Sequence, residues 1–249
     1  DEIRTLGNAV NEMTEGLVKA AEEQLKAEEE KKLNLDAQAV QKTFLPLTHS
    51  EEGGQKTTTD YTGKAIKFFG YYEGADEVSG DYFDYKKLDD RFYAIIKGDV
   101  SGHGVPAALI MSVVATLFRQ YFAGWTWEKN GIKIDGFISE VNDFIEGLGV
   151  KGKFATMLLC LFDTKTGDSY ICNAGDNIIH IYDGEKGQVK TITLNQTPAA
   201  GALPTFLVEM KGGYKTEKLT LKKNDILFLY TDGIEESTRF FRNKDYQIV

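Results

Sequence analysis

The sequence GDVSGHGVP at residues 98–106 decides how the rest of the chain is read. An apolar, strand-like run at 92–97 leads into it, and an apolar run with helical spacing at 107–122 follows it. The turn between these runs contains three glycines, one aspartate, one serine and one histidine. A glycine-rich turn between a strand and a helix that also holds a carboxylate and an imidazole indicates a ligand site, which we place at Asp99.

The composition is that of a globular protein with no affinity for nucleic acid. Its 249 residues suit one large domain, or one domain with an extension, and 42% of them are hydrophobic. The net charge of −9 opposes nonspecific binding to nucleic acid and to anionic membranes. No apolar run approaches the ~20 residues of a membrane helix, so the simplest location for this part of the protein is the cytoplasm. The two cysteines exclude a disulfide framework.

Residues 1–47 are expected to form a signalling and dimerisation helix with a short linker. The segment is rich in Ala, Glu and Lys, and Pro46 stops the helix. Apolar residues spaced as in a coiled coil form a seam in its first part: Leu6, Val10, Met13 and Leu17. We expect two copies to form a homodimer through this coiled-coil-like helix. The alternative is a charged, solvated helix that lies along its own domain.

From residue 48 onward the pattern predicts an α+β fold with antiparallel sheets. Residues 48–62 are polar and are interpreted as a loop. Two helices are predicted at 105–122 and 135–147, and a further helix is predicted to start at 234–238. Strands are predicted at 65–73, 83–88, 92–97, 154–162, 169–173, 178–182, 189–193, 206–210, 218–221 and 225–230. Strands, then a helix pair, then further hairpins do not form the alternating βαβ pattern of a parallel sheet.

Three aspartates adjoin a glycine beside a predicted strand. They are Asp81 after Gly80, Asp99 after Gly98 and Asp232 before Gly233. Carboxylates on fixed backbone, with glycine leaving room for water, are what a hard cation requires. A single Asp-Gly pair indicates only a turn, but three in this context favour a metal site. Asp84, three residues after Asp81, is expected to support it.

Two rival interpretations of the turn fail on spacing. Residues 102–107 fit a G-x-G-x-x-A dinucleotide fingerprint, but hairpins follow where a parallel strand would be required. Ser101 does not fit a G-x-S-x-G nucleophile elbow, because Asp99 and His103 occupy the two glycine positions.

Five segments in order resemble one known family: SGDYFDY (79–85), GDVSGHGVPAALIM (98–111), FATMLLCLFD (154–163), NAGDN (173–177) and YTDGIEES (230–237). They are similar to the metal-dependent PPM (type-2C) protein serine/threonine phosphatases, in the SpoIIE/RsbU class of bacterial signalling phosphatases. The resemblance covers roughly residues 36–240 and opens with the segment QAVQKTFLP. Residues 1–17 resemble the end of a HAMP signalling module. This implies an upstream sensor in a parent protein anchored in the inner membrane, with this part in the cytoplasm.

The family resemblance implies a four-layer α–β–β–α sandwich of two antiparallel sheets, with a phosphatase domain at 48–249. It also implies two Mn²⁺ or Mg²⁺ ions at one end of the sheets. By motif, Asp99 would bridge both ions, the Val100 carbonyl would bind one and Asp232 the other. Asp81 would hold metal directly or through water.

The same resemblance implies direct attack on phosphorus by metal-bound hydroxide, without a covalent enzyme intermediate. His103 is our candidate proton donor to the leaving alkoxide, because imidazole titrates near neutral pH; the alternative is that it only shapes the loop. Further supporting residues are expected around these groups: Asp84, Gly98, Gly102, Gly104, Asp176 and Gly233.

The chain departs from the family pattern in three places. Asp176 stands where the class has histidine, and Ser79 replaces the first glycine of a G-G-D motif. Nothing after Asp232 matches the family's last aspartate motif, so the domain is expected to lack its last strand and to bind one metal more weakly.

Two functions follow from these features. The first is dephosphorylation of a phosphoserine or phosphothreonine protein in bacterial signal transduction, with an anti-sigma-factor antagonist as the expected partner. The alternative is a catalytically weak signalling module with the same fold, acting by dimerisation and partner binding.

Overall fold

A computed structural model describes residues 2–49, 56–74 and 78–234 of the chain. Its helices are α1 (Glu2–Lys42), α2 (Gly104–Tyr121), α3 (Trp127–Asn130), α4 (Asp135–Gly147) and α5 (Thr205–Met210). Its strands are β1 (Thr58–Thr62), β2 (Lys67–Tyr71), β3 (Asp81–Lys87), β4 (Phe92–Val100), β5 (Ala155–Asp163), β6 (Asp168–Ala174), β7 (Ile178–Asp183), β8 (Gln188–Thr193), β9 (Glu217–Thr220) and β10 (Ile226–Phe228). The α+β class and the N-terminal helix that we predicted are confirmed.

The strands form a five-stranded sheet in the order β3-β4-β5-β6-β9, a three-stranded sheet in the order β10-β7-β8, and the hairpin β1-β2. Every pairing within these sheets is antiparallel. Antiparallel strands joined by short turns were the expectation from the hairpin signals in the sequence.

The five-stranded sheet is apolar on both faces, and the two faces have different partners. On one face Phe92, Ala94 and Ile96 of β4 pack into the main core cluster with side chains of α2 and α4. On the other face Leu158 and Cys160 of β5 form a second cluster, which the three-stranded sheet completes. Because side chains alternate along a strand, odd-numbered residues of β4 point toward this second sheet.

Helix α2 belongs to the core although its length and composition would allow it to cross a membrane. Its buried side chains form one face, from Ala107 to Phe118, and this face packs in the main core cluster. Burial of one face against a sheet is the pattern of a core helix.

The two cysteines are buried and free. Cys160 pairs in register with Ile171 and Cys172 with Leu159, so the two cysteines point to opposite faces of the sheet. Burial raises the pKa of the Cys160 thiol to about 12. Both thiols therefore act as small apolar groups.

Two predicted elements were wrong. The predicted loop contains strand β1, which pairs with β2, and its Tyr61 ring packs on Tyr85 and Tyr93. The predicted strand at 206–210 is helix α5, which follows Pro204 and buries Val208. Short segments of mixed pattern are decided by such tertiary contacts rather than by local preference.

The described residues form a helical layer and two sheet layers of the expected four. Ile178, Ile226 and Phe228 are exposed on the three-stranded sheet. Residues 2–49, 56–74 and 78–234 do not contain the second helical layer that we expected. The helix predicted from Ile234 lies outside the described residues apart from its first residue.

Candidate functional site

Two of the three predicted aspartates are brought together by strand register. Asp81, the first residue of β3, is directly opposite Asp99 of β4. Residues directly opposite in an antiparallel pair share a face, with their Cβ atoms about 4.5–5.5 Å apart. Both carboxylates therefore lie on the face toward the second sheet, where β4 enters the GDVSGHG turn. Two ionised carboxylates at this separation repel each other unless a cation lies between them.

The Asp81 carboxylate is held on one oxygen only. Its Oδ2 accepts a hydrogen bond of 2.9 Å from the Ser79 hydroxyl. Its Oδ1 is buried and has no hydrogen-bond partner in the described part of the chain. A buried carboxylate oxygen without a donor costs free energy, and a divalent cation would satisfy it. The Asp81–Asp99 pair therefore fits a metal ion.

The backbone of the turn lies close against the strand that carries Asp81. The Val100 N–H donates to the Gly80 carbonyl at 3.2 Å. A Cβ atom on Gly80 would lie only 2.3 Å from the Val100 carbonyl oxygen, so this position requires glycine. The Val100 carbonyl, our third predicted ligand, is thus beside the residue that precedes Asp81.

The GDVSGHG turn is fixed by Ser101 and by two glycines. The Ser101 hydroxyl donates to the Gly152 carbonyl at 2.9 Å and accepts from the Phe154 N–H at 3.0 Å. Gly102 and Gly104 have φ values of +82° and +72°, which other residues rarely adopt. Ser101 therefore holds the turn against the backbone of Gly152 and Phe154. His103 is exposed and directly precedes α2.

A buried lysine, Lys97, lies near Asp99 on β4 and was not predicted from the sequence as part of the site. Lys97 lies two residues before Asp99 on β4 and therefore on the same face. Its ammonium group donates to the carboxylate of Asp176, at the position where the family resemblance leads us to expect histidine. The signal in the sequence was a single lysine in the apolar run FYAIIK.

Asp84 does not support Asp81, which corrects our expectation. Residues three apart on a strand point to opposite faces. Asp84 accepts hydrogen bonds from the Tyr82 hydroxyl at 3.0 Å and from the Arg119 guanidinium at 3.2 Å. Burial raises the pKa of Asp84, and Arg119 opposes that rise. This carboxylate joins β3 to α2 on the helical side of the sheet.

Asp232 is not brought into a cluster with the other two aspartates. It is exposed and follows β10, which belongs to the three-stranded sheet. Within the described ranges, no three Asp, Glu, His or Cys side chains form a group that could hold a metal. Gly233 begins a helical turn directly after Asp232.

A second residue that the sequence reasoning missed is Gln41, near the end of α1. It is buried and clamps the backbone of Ser79. Its Nε2 donates to the Ser79 carbonyl, and its Oε1 accepts from the Ser79 N–H at 3.2 Å. Gln41 lies in the QAVQKTFLP segment that carried part of the family resemblance. Helix α1 thus contacts Ser79, the residue that hydrogen-bonds to Asp81.

Comparisons with known proteins agree with this architecture. The family model described as Stage II sporulation protein E (SpoIIE) matches residues 89–248. Protein IcfG of Synechocystis is 30% identical over 190 residues, which are 67% of this chain and 28% of IcfG. Phosphoserine phosphatase RsbU of Bacillus subtilis is 26% identical over 162 residues, which are 65% of this chain and 44% of RsbU. The chain therefore spans less than half the length of either relative.

The structural comparison concerns the fold alone. The SiaA-PP2C domain of Pseudomonas aeruginosa superposes with a TM-score of 0.59 at 18% sequence identity. The match covers 83% of this chain and 73% of the SiaA domain.

Proposed function

Because this chain belongs to the SpoIIE family, we propose that it removes phosphate from phosphoserine or phosphothreonine in a bacterial signalling protein. The observation that carries this proposal is the Asp81–Asp99 pair at the GDVSGHG turn, with one buried carboxylate oxygen left without a donor. The name of the relative RsbU, a phosphoserine phosphatase, supports the substrate class.

We propose that Asp81, Asp99 and the Val100 carbonyl hold Mn²⁺ or Mg²⁺, with Asp232 reaching the site from the other sheet. Two ions are proposed from the family resemblance. When bound, such cations lower the pKa of water and offset negative charge on phosphoryl oxygens. The protein contributes fixed oxygen ligands on two paired strands, so little reorganisation is required when the ions bind.

His103 is proposed as the group that protonates the leaving serine or threonine oxygen. Its exposed imidazole lies in the glycine turn by which Asp99 is joined to α2. An imidazole is a suitable proton donor near neutral pH. The alternative role is to shape the loop; in that case replacing His103 would change cation affinity rather than turnover at saturating cation.

The Lys97–Asp176 ion pair is proposed to keep the site receptive to phosphate. A lone carboxylate at position 176 would repel the dianionic phosphate monoester. The ammonium of Lys97 offsets that charge, because the two side chains are in direct contact and mostly buried. Asp176 is thus proposed to support the site through Lys97.

A catalytically weak signalling module is the second candidate function. It is favoured by the absence of a three-residue metal-binding group within residues 2–49, 56–74 and 78–234. Such a module would act through partner binding, with α1 as its contact surface.

Partners and location are proposed in the same terms. We propose a homodimer through α1, whose Leu6, Met13 and Leu17 side chains are exposed. An upstream HAMP region and membrane sensor would place this part of the protein in the cytoplasm. The proposed phosphoprotein substrate is an anti-sigma-factor antagonist.

Hydrolysis of p-nitrophenyl phosphate at millimolar Mn²⁺ separates the two functions. We expect Mn²⁺-dependent turnover that Asp99→Asn lowers by at least about 100-fold, since the substitution removes a proposed ligand of both ions. Asp90→Asn is the matched control, because Asp90 is an exposed aspartate in the turn between β3 and β4. Failure of the full-length protein to turn over this substrate would exclude the phosphatase function and leave the signalling module.

A further inference from the structure

Ser79 makes two hydrogen bonds to a single neighbour, Asp81. Its hydroxyl donates to Oδ2 of Asp81 at 2.9 Å and accepts from the Asp81 backbone N–H at 3.1 Å. Ser79 itself is buried. Both bonds require the Ser79 hydroxyl, which the glycine expected here from the family resemblance does not have.

The backbone of Ser79 is held as firmly as its side chain. The amide group of Gln41 binds both the carbonyl and the N–H of Ser79. A serine fixed in this way presents its hydroxyl in one direction, and ordering it on ligand binding costs little further entropy. Gln41 therefore sets the position from which Ser79 reaches Asp81.

The two oxygens of Asp81 are consequently not equivalent. Oδ2 is occupied by the Ser79 hydroxyl, whereas Oδ1 is buried without a partner in the described ranges. A carboxylate held on one oxygen cannot rotate freely, so the position of the other oxygen is fixed as well. Removing a group that hydrogen-bonds to a metal ligand and orients it typically lowers metal affinity about 10–100-fold.

We propose that Ser79 is a positioning residue that holds the Asp81 carboxylate so that Oδ1 binds a divalent cation. The inference rests on the proposed function, in which Asp81 is a metal ligand. A purely structural role for Ser79, as the first residue of a turn closed by its hydroxyl, would instead affect folding and leave cation affinity unchanged.

The test is calorimetric titration of the protein with MnCl₂. Ser79→Ala should raise the Kd for Mn²⁺ about tenfold. Ser79→Gly is the second variant, and we expect the same loss. Ser169→Ala is the matched control, because Ser169 is likewise a buried serine and lies in β6, away from Asp81 in sequence. In p-nitrophenyl phosphate assays, the Mn²⁺ concentration for half-maximal rate should rise by the same factor while kcat at saturating Mn²⁺ stays within about twofold.

A double-mutant cycle shows whether Ser79 acts through Asp81. In an Asp81→Asn background, Ser79→Ala should produce no further loss of Mn²⁺ affinity. An equal loss in both backgrounds would overturn the inference. So would an unchanged Kd in Ser79→Ala and Ser79→Gly, with the proposed function left intact. If the unsubstituted protein binds no Mn²⁺ at millimolar concentration, both the proposed metal site and this inference fail.

Discussion

At the scale of single residues, the candidate site depends on which residue of β3 faces Asp99. The observed register places Asp81 opposite Asp99. A slip of one residue would bring Tyr82 there and turn Asp81 toward the helical face. Asp81 and Asp99 could be chosen from sequence because each adjoins a glycine next to a strand. Their pairing could not, because register depends on the whole buried face of the sheet.

Gly80 gives a residue-scale prediction. Gly80→Ala should lower the free energy of unfolding by about 2 kcal/mol, because the new methyl group meets the Val100 carbonyl, a backbone atom that cannot move aside. Urea denaturation followed by circular dichroism measures the change.

Gly124→Ala is the control, since a Cβ atom there meets nothing within 4 Å. Equal stability of the Gly80 and Gly124 variants would show that the turn and β3 are not in the close contact described.

At the scale of elements, the sequence correctly predicted the helices whose apolar residues recur with helical periodicity. Helix α4 was predicted at its observed bounds, and α2 within one residue of them, because both have a continuous apolar face. Strand β1 and helix α5 were missed, because each is short and is stabilised by distant partners. The Tyr61 ring contacts β3 and β4, and the Thr205 hydroxyl accepts a hydrogen bond from Asn142 of α4.

The residues of the candidate site also divide into those that local sequence can predict and those that only distant contacts reveal. Asp99, Asp81 and the glycine turn carry recognisable local signals. Lys97 and Gln41 do not, because each becomes relevant only through a partner far away in sequence: Asp176 for Lys97 and Ser79 for Gln41. The misassignment of Asp84 was avoidable, since a separation of three residues on a strand already implies the opposite face.

The pair Arg91–Asp163 gives an element-scale prediction about how β4 and β5 are joined. Arg91 donates two hydrogen bonds to the nearly inaccessible Asp163 carboxylate, and they hold the pKa of Asp163 at about 2 instead of 3.8. Because the pKa is lowered in the folded state, the stabilisation is present above about pH 4 and is lost as the pH falls toward 2. Asp163→Asn should therefore destabilise the protein by about 2 kcal/mol at pH 7.

Urea unfolding of the parent protein and Asp163→Asn, at pH 7 and at the lowest pH at which both fold, measures this effect. The difference between them should shrink as the pH falls. Asp90→Asn, which loses an exposed ion pair with Lys87, is the control and should change stability little. A difference that grows toward low pH would contradict the assignment.

At the scale of the whole molecule, three apolar side chains of the α1 seam are in solvent: Leu6, Met13 and Leu17. Leu6, Met13 and Leu17 are each about two-thirds exposed, at 66%, 68% and 69%. Apolar side chains at heptad spacing on an unpacked helix favour association with a second copy. The observed exposure disfavours the alternative in which this part of the helix lies along its own domain.

Sedimentation velocity at micromolar concentration tests this proposal. The parent protein should sediment as a dimer, and the double substitution Met13→Lys and Leu17→Lys should produce a monomer, because like charges would face each other across the seam. Glu15→Lys is the control, since residue 15 lies on nearly the opposite side of the helix from Met13. A parent protein that is monomeric throughout would exclude the dimer.

The proposed metal ligands are divided between the two sheets, so a complete metal site requires both sheets to be packed together. Asp81 and Asp99 belong to the five-stranded sheet, whereas Asp232 follows a strand of the three-stranded sheet. A ligand set divided in this way would couple cation binding to the packing of the two sheets, which the second core cluster maintains. Cation binding should therefore also stabilise the sandwich as a whole.

Anomalous X-ray scattering from a crystal of the protein soaked in millimolar MnCl₂ tests the central claim most directly. We expect a manganese peak between the two paired strands, about 2.1 Å from an oxygen of Asp99 and from Oδ1 of Asp81. The same crystal form of Asp99→Asn should lack that peak. A fully occupied manganese ion elsewhere, with no peak between Asp81 and Asp99, would contradict the account.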